Sequence, residues 1–169
     1  MRRAFDAFYA FLMALAALAL AAAFVCVLLS IADRLFALGL RGLDAYAGYA
    51  IAAALFLALP GTLRRGEHIR VTLVLERLPT RVRLRLEIVC LAAGVALAGA
   101  LAWYALQLVW VSYTINDISQ GADATPLWIP QLSMALGCLG FAVAFADALI
   151  SRATGRSLSP IGSEANRVE

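Results

Sequence analysis

The sequence predicts an all-α integral membrane protein with four transmembrane helices, and the main observation behind this is four long apolar stretches. They lie at 8–31, 43–63, 86–114 and 127–150, and each contains at most one charged residue. A hydrocarbon core about 30 Å thick needs roughly 20 helical residues, so each stretch is long enough to cross it. In addition, 63% of the 169 residues are hydrophobic. The spans use most of the chain, and no soluble domain is predicted.

The first stretch follows Met1-Arg2-Arg3, a beginning that also occurs in secretory signals. Its apolar run is longer than a signal core, however, and no small-residue cleavage pattern precedes Asp33-Arg34. We therefore expect an uncleaved first helix.

The distribution of basic residues predicts the orientation. All 14 basic residues are arginines, and the connection between the second and third stretches holds seven of them. Placing both termini in the cytoplasm puts 12 arginines inside and two outside, which is the asymmetry that membrane proteins show. The basic charge thus indicates topology and not binding of nucleic acid. Aromatic side chains fall at the predicted outer ends, where such rings anchor helices in the headgroup layer: Tyr46, Tyr49, Trp110, Tyr113 and Trp128.

The connection between the second and third spans, 64–87, is long enough for structure of its own. Four residues make one helical stripe in it, Val71, Val74, Leu75 and Leu78, although a period of two also fits Ile69, Val71, Leu73 and Leu75. We favour a short helix lying in the membrane interface, because a lone strand there would leave its backbone groups unpaired.

Proline and polar residues predict where helices end. Pro60-Gly61 should end or kink the second helix, and Thr80 is a candidate N-cap for the third. Residues 115–126 form a polar outer loop. The segment 151–169 is rich in Gly, Ser and Arg, and we expect a disordered cytoplasmic tail.

The sequence offers little catalytic chemistry, and we predict no enzyme activity, cofactor or metal site. Cys26, Cys90 and Cys138 form no Cys-x-x-Cys pair, which disfavours a membrane thiol oxidoreductase. His68 is the single histidine, so a bis-histidine haem site cannot be built within the chain. Small-residue pairs such as Gly48 with Ala52 would instead let helices approach closely, either within the bundle or against another membrane subunit.

Acidic and basic residues near the helix ends are the remaining candidates. Asp147 lies one turn from the end of the fourth span, where an interfacial position or a partner-facing polar contact explains it. A group of cytoplasmic arginines should hold the protein at the anionic inner leaflet, each contributing on the order of 1 kcal/mol: Arg64, Arg65, Arg81, Arg83 and Arg85.

Two segments carry a resemblance to a known family. Arg64-Arg65-Gly66-Glu67-His68-Ile69-Arg70-Val71 after the second span, and Leu127-Trp128-Ile129-Pro130 opening the fourth, are similar to the small membrane subunit of tripartite ATP-independent periplasmic (TRAP) transporters, the DctQ-like family. The likeness covers about residues 5–150. It places five residues in the family's cytoplasmic segment: Arg65, Gly66, His68, Ile69 and Val71.

The resemblance implies a function in the bacterial inner membrane. A periplasmic binding protein would deliver an organic acid to a complex of a small and a large membrane subunit, and the large TRAP subunit would move it with a sodium gradient. The small subunit would be a non-catalytic stator that anchors the complex among membrane lipids. Two alternatives remain open, namely a quinone-binding anchor of a respiratory enzyme and a small transporter working as a homodimer.

Overall fold

The computed structural model describes residues 2–65, 79–121 and 124–154, and these form four long α-helices. The helices are α1 (Arg2–Phe36), α2 (Leu43–Arg65), α3 (Thr80–Thr114) and α4 (Trp128–Ala153). All four are long and apolar enough to cross a membrane. The predicted all-α class with four spans is therefore confirmed. The short helix expected near Val71 and Leu78 lies outside the described residues.

Several helix ends differ from the sequence-based expectation. Pro60 does not end α2, which continues to Arg65, and the alternative of a kink stays a prediction. The N-cap position of α3 is Pro79 and not Thr80, because Thr80 is already helical. α4 runs to Ala153, past the predicted end of the fourth span, and the rest of the tail that we expect to be disordered lies outside the described residues. The hydropathy pattern marks the part of a helix that suits hydrocarbon, whereas hydrogen bonding continues beyond it.

The helices are arranged in the order α1, α2, α4, α3, with α2 and α4 in the middle. Asp6 near the start of α1 pairs with Arg64 at the end of α2, so these two helices are antiparallel. Glu87 near the start of α3 pairs with Arg152 at the end of α4, so this second pair is antiparallel as well. The two hairpins meet where α2 contacts α4, and these two helices run parallel.

We call the end with Asp6, Arg64, Glu87 and Arg152 the terminal end. The opposite end, where residues 37–42 connect α1 to α2 and where α4 begins at Trp128, is the loop end. Five residues at the turns of the loop end have positive φ: Ala37, Gly39, Gly42, Asn116 and Ala124. The loop before α4 folds back on itself, because Ser119 N–H donates to the Thr125 carbonyl at 2.8 Å.

The contact between α2 and α4 depends on glycine. A Cβ on Gly137 would overlap the carbonyl carbon and oxygen of Phe56, and a Cβ on Gly140 would lie 2.8 Å from both Leu12 Cδ1 and Pro60 Cγ. Pro60 has no N–H, so the Phe56 carbonyl four residues earlier has no helical donor. That carbonyl faces Gly137. Proline on one helix and glycine on the other thus bring the two backbones together.

The interior of the bundle is built from small and medium side chains. One buried cluster joins α3 and α4 through Ala102, Ala105, Ala135 and Cys138, and a second joins α1 and α2 through Leu12, Ala16 and Leu57. Large apolar side chains cover the outside instead, as Leu97 and Leu18 show with exposed fractions of 73% and 67%. A surface of this kind suits contact with lipid tails or with other membrane helices.

Candidate functional site

Charged side chains at the terminal end form two clusters, and the first joins α1 to α2. Arg64 Nη2 lies 2.7 Å from Asp6 Oδ1, and the guanidinium carbon of Arg64 is 4.6 Å from the centre of the Tyr9 ring. The Arg64 side chain is only 24% exposed. A cation over an aromatic face adds to the attraction of the ion pair. The cluster therefore fastens the first hairpin at this end.

The second cluster joins α3 to α4. The Glu87 carboxylate accepts hydrogen bonds from Arg83, one turn earlier on α3, at 3.2 Å and from Arg152 on α4. The Glu87 side chain is 19% exposed and that of Arg152 is 31% exposed. Because both oxygens of this carboxylate have guanidinium partners, the second cluster holds α3 and α4 together at the terminal end. The first cluster holds α1 and α2 together in the same way.

Asp147 lies between the two clusters on α4. It is half-buried and within electrostatic range of the Tyr9 hydroxyl, together with Asp6 and Arg64. Among the residues that the structure describes, Asp147 has no ion pair or hydrogen bond. Its predicted role as a partner-facing residue stays a prediction.

The predicted arginine anchors are brought to this end, but they differ in exposure. Arg64 is largely occupied by Asp6, Arg83 is bound to Glu87, and Arg85 is exposed. Arg65 is exposed at the last residue of α2. Arg81 belongs to α3, but its side chain lies outside the described part of the chain. The family-segment residues Gly66, His68, Ile69 and Val71 lie outside it as well.

The predicted aromatic anchors meet at the loop end. The rings of Tyr113 and Trp128 are edge-to-face at 5.8 Å between centroids, and Trp110 is 67% exposed. Thr125 donates a hydrogen bond to the Tyr46 hydroxyl at 3.2 Å, which ties the loop before α4 to α2. Anchoring of these rings in a headgroup layer stays a prediction.

A cleft of about 270 Å³ also opens at the loop end. It is lined by the end of α1, the start of α2 and residues of both loops, including Ser30, Asp33, Arg34, Asp44 and Gly121. Asp44 accepts from Ser30 at 2.8 Å and from Arg34 at 3.3 Å, and both members of the ion pair are about three-quarters exposed. Water screens so open a pair, and its contribution to stability is small.

The glycines of the helices divide between the inside and the outside of the bundle. Gly94, Gly137 and Gly140 pack against neighbouring helices, whereas a Cβ added at Gly48 or Gly99 would meet no atom within 4 Å. The thiols of Cys26, Cys90 and Cys138 are free, and the described residues contain no group of three or more potential metal ligands.

Sequence reasoning did not find the cross-helix partners. The sequence assigns no role to Glu87 or Tyr9, although the Tyr9 hydroxyl is buried with no hydrogen-bond partner among the described residues. The signal for Glu87 was present, since it is an acid at the start of an apolar stretch and has an arginine four residues earlier. Nothing local in the sequence distinguishes Tyr9.

These features define a multi-pass helical membrane protein whose charges gather at the two ends of an apolar bundle. A family model described as the DctQ component of tripartite ATP-independent periplasmic transporters matches residues 23–155. The chain belongs to this family of TRAP transporter components. No curated protein and no solved structure matches it significantly.

Proposed function

We propose that the chain is the stator of a TRAP transporter in the bacterial inner membrane. It holds the large membrane subunit in place while that subunit moves an organic acid, delivered by a periplasmic binding protein, with a sodium gradient. The family assignment supports the membership in a tripartite system, and it favours this interpretation over a respiratory anchor. The stator role, the coupling ion, the substrate class and the two partners are our inference.

The observation that carries the proposal is the apolar, closely packed middle of the bundle. Ala102, Ala105, Ala135 and Cys138 fill the space between α3 and α4, and each is at most 4% exposed. The charged side chains in the described part of the chain belong to the terminal end or the loop end. A translocation path needs polar groups near the membrane centre, whereas a part that stays fixed needs rigid apolar packing.

Uptake in proteoliposomes tests the proposal directly. Under an inward sodium gradient, the chain alone is expected to give no uptake above protein-free vesicles. Adding the large subunit and the cognate binding protein should give sodium-dependent uptake of an organic acid, and omitting the chain should abolish it. The matched control replaces sodium by potassium at the same ionic strength.

Two outcomes would contradict the stator role. Robust uptake by the isolated chain would show that it contains a path of its own. Uptake by the large subunit and binding protein at an unchanged rate without this chain would show that no stator is needed.

The variant Asp147→Asn is expected to keep the sodium dependence of whatever complex it forms, since Asp147 lies near the end of α4.

We also propose that the terminal end faces the cytoplasm, as the arginine distribution predicts. Single cysteines at Gln120, which is exposed at the loop end, and at Ser157 provide the test. The background replaces Cys26, Cys90 and Cys138 by alanine. In intact spheroplasts an impermeant thiol reagent should label the cysteine at 120 but not that at 157. Labelling of the cysteine at 157 but not of that at 120 would show that the terminal end faces the outside of the cell membrane and not the cytoplasm.

Arginine anchoring at the inner leaflet gives a further expected result. Replacing Arg83 and Arg85 together by Gln should weaken retention of the chain by anionic lipid by roughly 30-fold, since each arginine contributes on the order of 1 kcal/mol and about 1.4 kcal/mol is a factor of ten. The measurement is partitioning of detergent-solubilised chain into bicelles with and without anionic lipid. Arg34→Gln at the loop end is the matched control. An altered substrate preference of the assembled transporter would argue against a purely anchoring role.

A further inference from the structure

Asp147 differs from the other acidic residues at the helix ends because it has no partner in the described part of the chain. The others have named partners: Asp6, Asp44 and Glu87 form ion pairs with arginines, and the Asp33 carboxylate accepts a hydrogen bond from the backbone N–H of Leu40 at 2.8 Å. Asp147 is half-buried within a membrane-spanning helix. Carboxylates within membrane spans are costly and are almost always paired.

The Tyr9 hydroxyl belongs to the neighbouring cluster, but it is closed to any partner from outside the bundle. Tyr9 is 3% exposed, and its hydroxyl oxygen is buried with no hydrogen-bond partner among the described residues. Its neighbour Arg64 is held by Asp6 at 2.7 Å. In the described part of the terminal end, the Asp147 carboxylate therefore has acceptor oxygens that remain for an external partner.

The position of Asp147 on α4 shows from which side a partner reaches it. Four exposed aliphatic residues precede it at intervals of three and four, and a fifth follows: Leu132, Leu136, Leu139, Val143 and Ile150. This spacing makes one continuous face on a helix. The face extends about 27 Å at 1.5 Å per residue, close to the thickness of the hydrocarbon core. The Asp147 carboxylate lies near the end of this face that belongs to the terminal end of the bundle.

We propose that Asp147 binds an arginine or lysine side chain from a partner membrane helix that packs along this face of α4. The cationic head would donate hydrogen bonds to the Asp147 carboxylate. This inference rests on the proposed function, in which the partner is the large transporter subunit. A cation fits because the Asp147 carboxylate lacks a positively charged partner in the described part of the chain, and a helix fits because the aliphatic face has the length of a span.

Retention of the large subunit by the tagged chain tests this inference. Asp147→Asn should lower the retained fraction at least about tenfold, because the partner's cation is left unpaired, and Asp147→Arg should abolish retention. Tyr9→Phe should leave retention unchanged, because the Tyr9 hydroxyl is buried out of reach of a partner, and the loss of this hydroxyl should leave the chain equally or more resistant to unfolding. Asp44→Asn at the loop end is the matched control and should change nothing.

Charge reversal identifies the partner residue. In complexes with Asp147→Arg, each basic residue near the ends of the large subunit's spans is replaced singly by Glu, and one replacement is expected to restore retention. Absence of any rescue would overturn the inference. The inference would also be overturned if the Asp147→Asn chain retained the large subunit as well as the wild-type chain does. That result would leave the proposed function intact. If even the wild-type chain retains no large subunit, the proposed function fails and the inference falls with it.

A lipid is the alternative occupant that the same samples distinguish. If Asp147→Asn keeps the large subunit but loses a co-purifying aminophospholipid, as native mass spectrometry would show, then a lipid headgroup occupies the site. That result would overturn the inference of a partner side chain.

Discussion

Gly137→Ala is expected to lower the free energy of unfolding of the bundle by about 3 kcal/mol or more. The added Cβ would overlap the backbone carbonyl of Phe56 on α2, and a backbone atom cannot move aside as a side chain can. The two hairpins would have to separate at the contact that joins them. The loss should be visible as a lower midpoint in an SDS titration of the purified chain.

Two other glycines provide matched controls for this substitution. At Gly94 an added Cβ would lie 2.5 Å from Cε1 of Phe145, a ring that can shift, so Gly94→Ala should cost less than Gly137→Ala. At Gly99 the added methyl would meet nothing within 4 Å. Gly99→Ala should be neutral or stabilising by up to about 1 kcal/mol, because alanine favours the helix. Equal midpoints for the three variants would show that α2 and α4 do not meet at Gly137.

The four spans could be predicted from the sequence because hydropathy alone determines which segments leave water. Their ends could not be predicted as well. Charged residues such as Asp6 and Arg64 lie outside the apolar stretches, yet they continue the helices and reach partners on neighbouring helices. Hydropathy records a preference for hydrocarbon, whereas a helix ends where its backbone hydrogen bonding ends.

Pro60 does not end α2, and the physical reason is related. A proline removes one backbone donor, which usually ends or kinks a helix. In α2 the carbonyl that loses its donor faces Gly137, a residue in another helix and 77 positions later in the sequence than Pro60. The local pattern could indicate the missing hydrogen bond, but it could not indicate the surroundings that tolerate it.

The candidate site was only partly predictable, since it depends on the order of the helices. The sequence indicated that arginines gather at one end, and the structure brings Arg64, Arg83, Arg85 and Arg152 there. The sequence did not indicate that α4 lies between α2 and α3. That order is what brings Asp147 near Tyr9 and brings Arg152 to Glu87, which is 65 residues away.

Glu87→Gln is expected to lower the free energy of unfolding by about 2 kcal/mol, between the values typical of exposed and of buried ion pairs. The Glu87 carboxylate is 19% exposed and binds two guanidinium groups. Its neutralisation removes both attractions and leaves Arg83 and Arg152 close together with like charges. The second hairpin would then open at its terminal end, where α3 begins and α4 finishes.

Asp44→Asn is the control that separates the effect of burial on stability from the effect of ion pairing itself. Asp44 also pairs with an arginine, but its side chain is 76% exposed, so the loss should be below about 1 kcal/mol. A double-mutant cycle of Glu87→Gln with Arg152→Gln isolates the contribution of that pair. High salt should reduce the effect at Asp44 more than that at Glu87, because water and ions reach the Asp44 pair more readily than the partly buried cluster around Glu87. Equal losses for Glu87→Gln and Asp44→Asn would mean that the cluster between α3 and α4 is as open as the loop end, and it would remove the reason for regarding the terminal end as a rigid part of a stator.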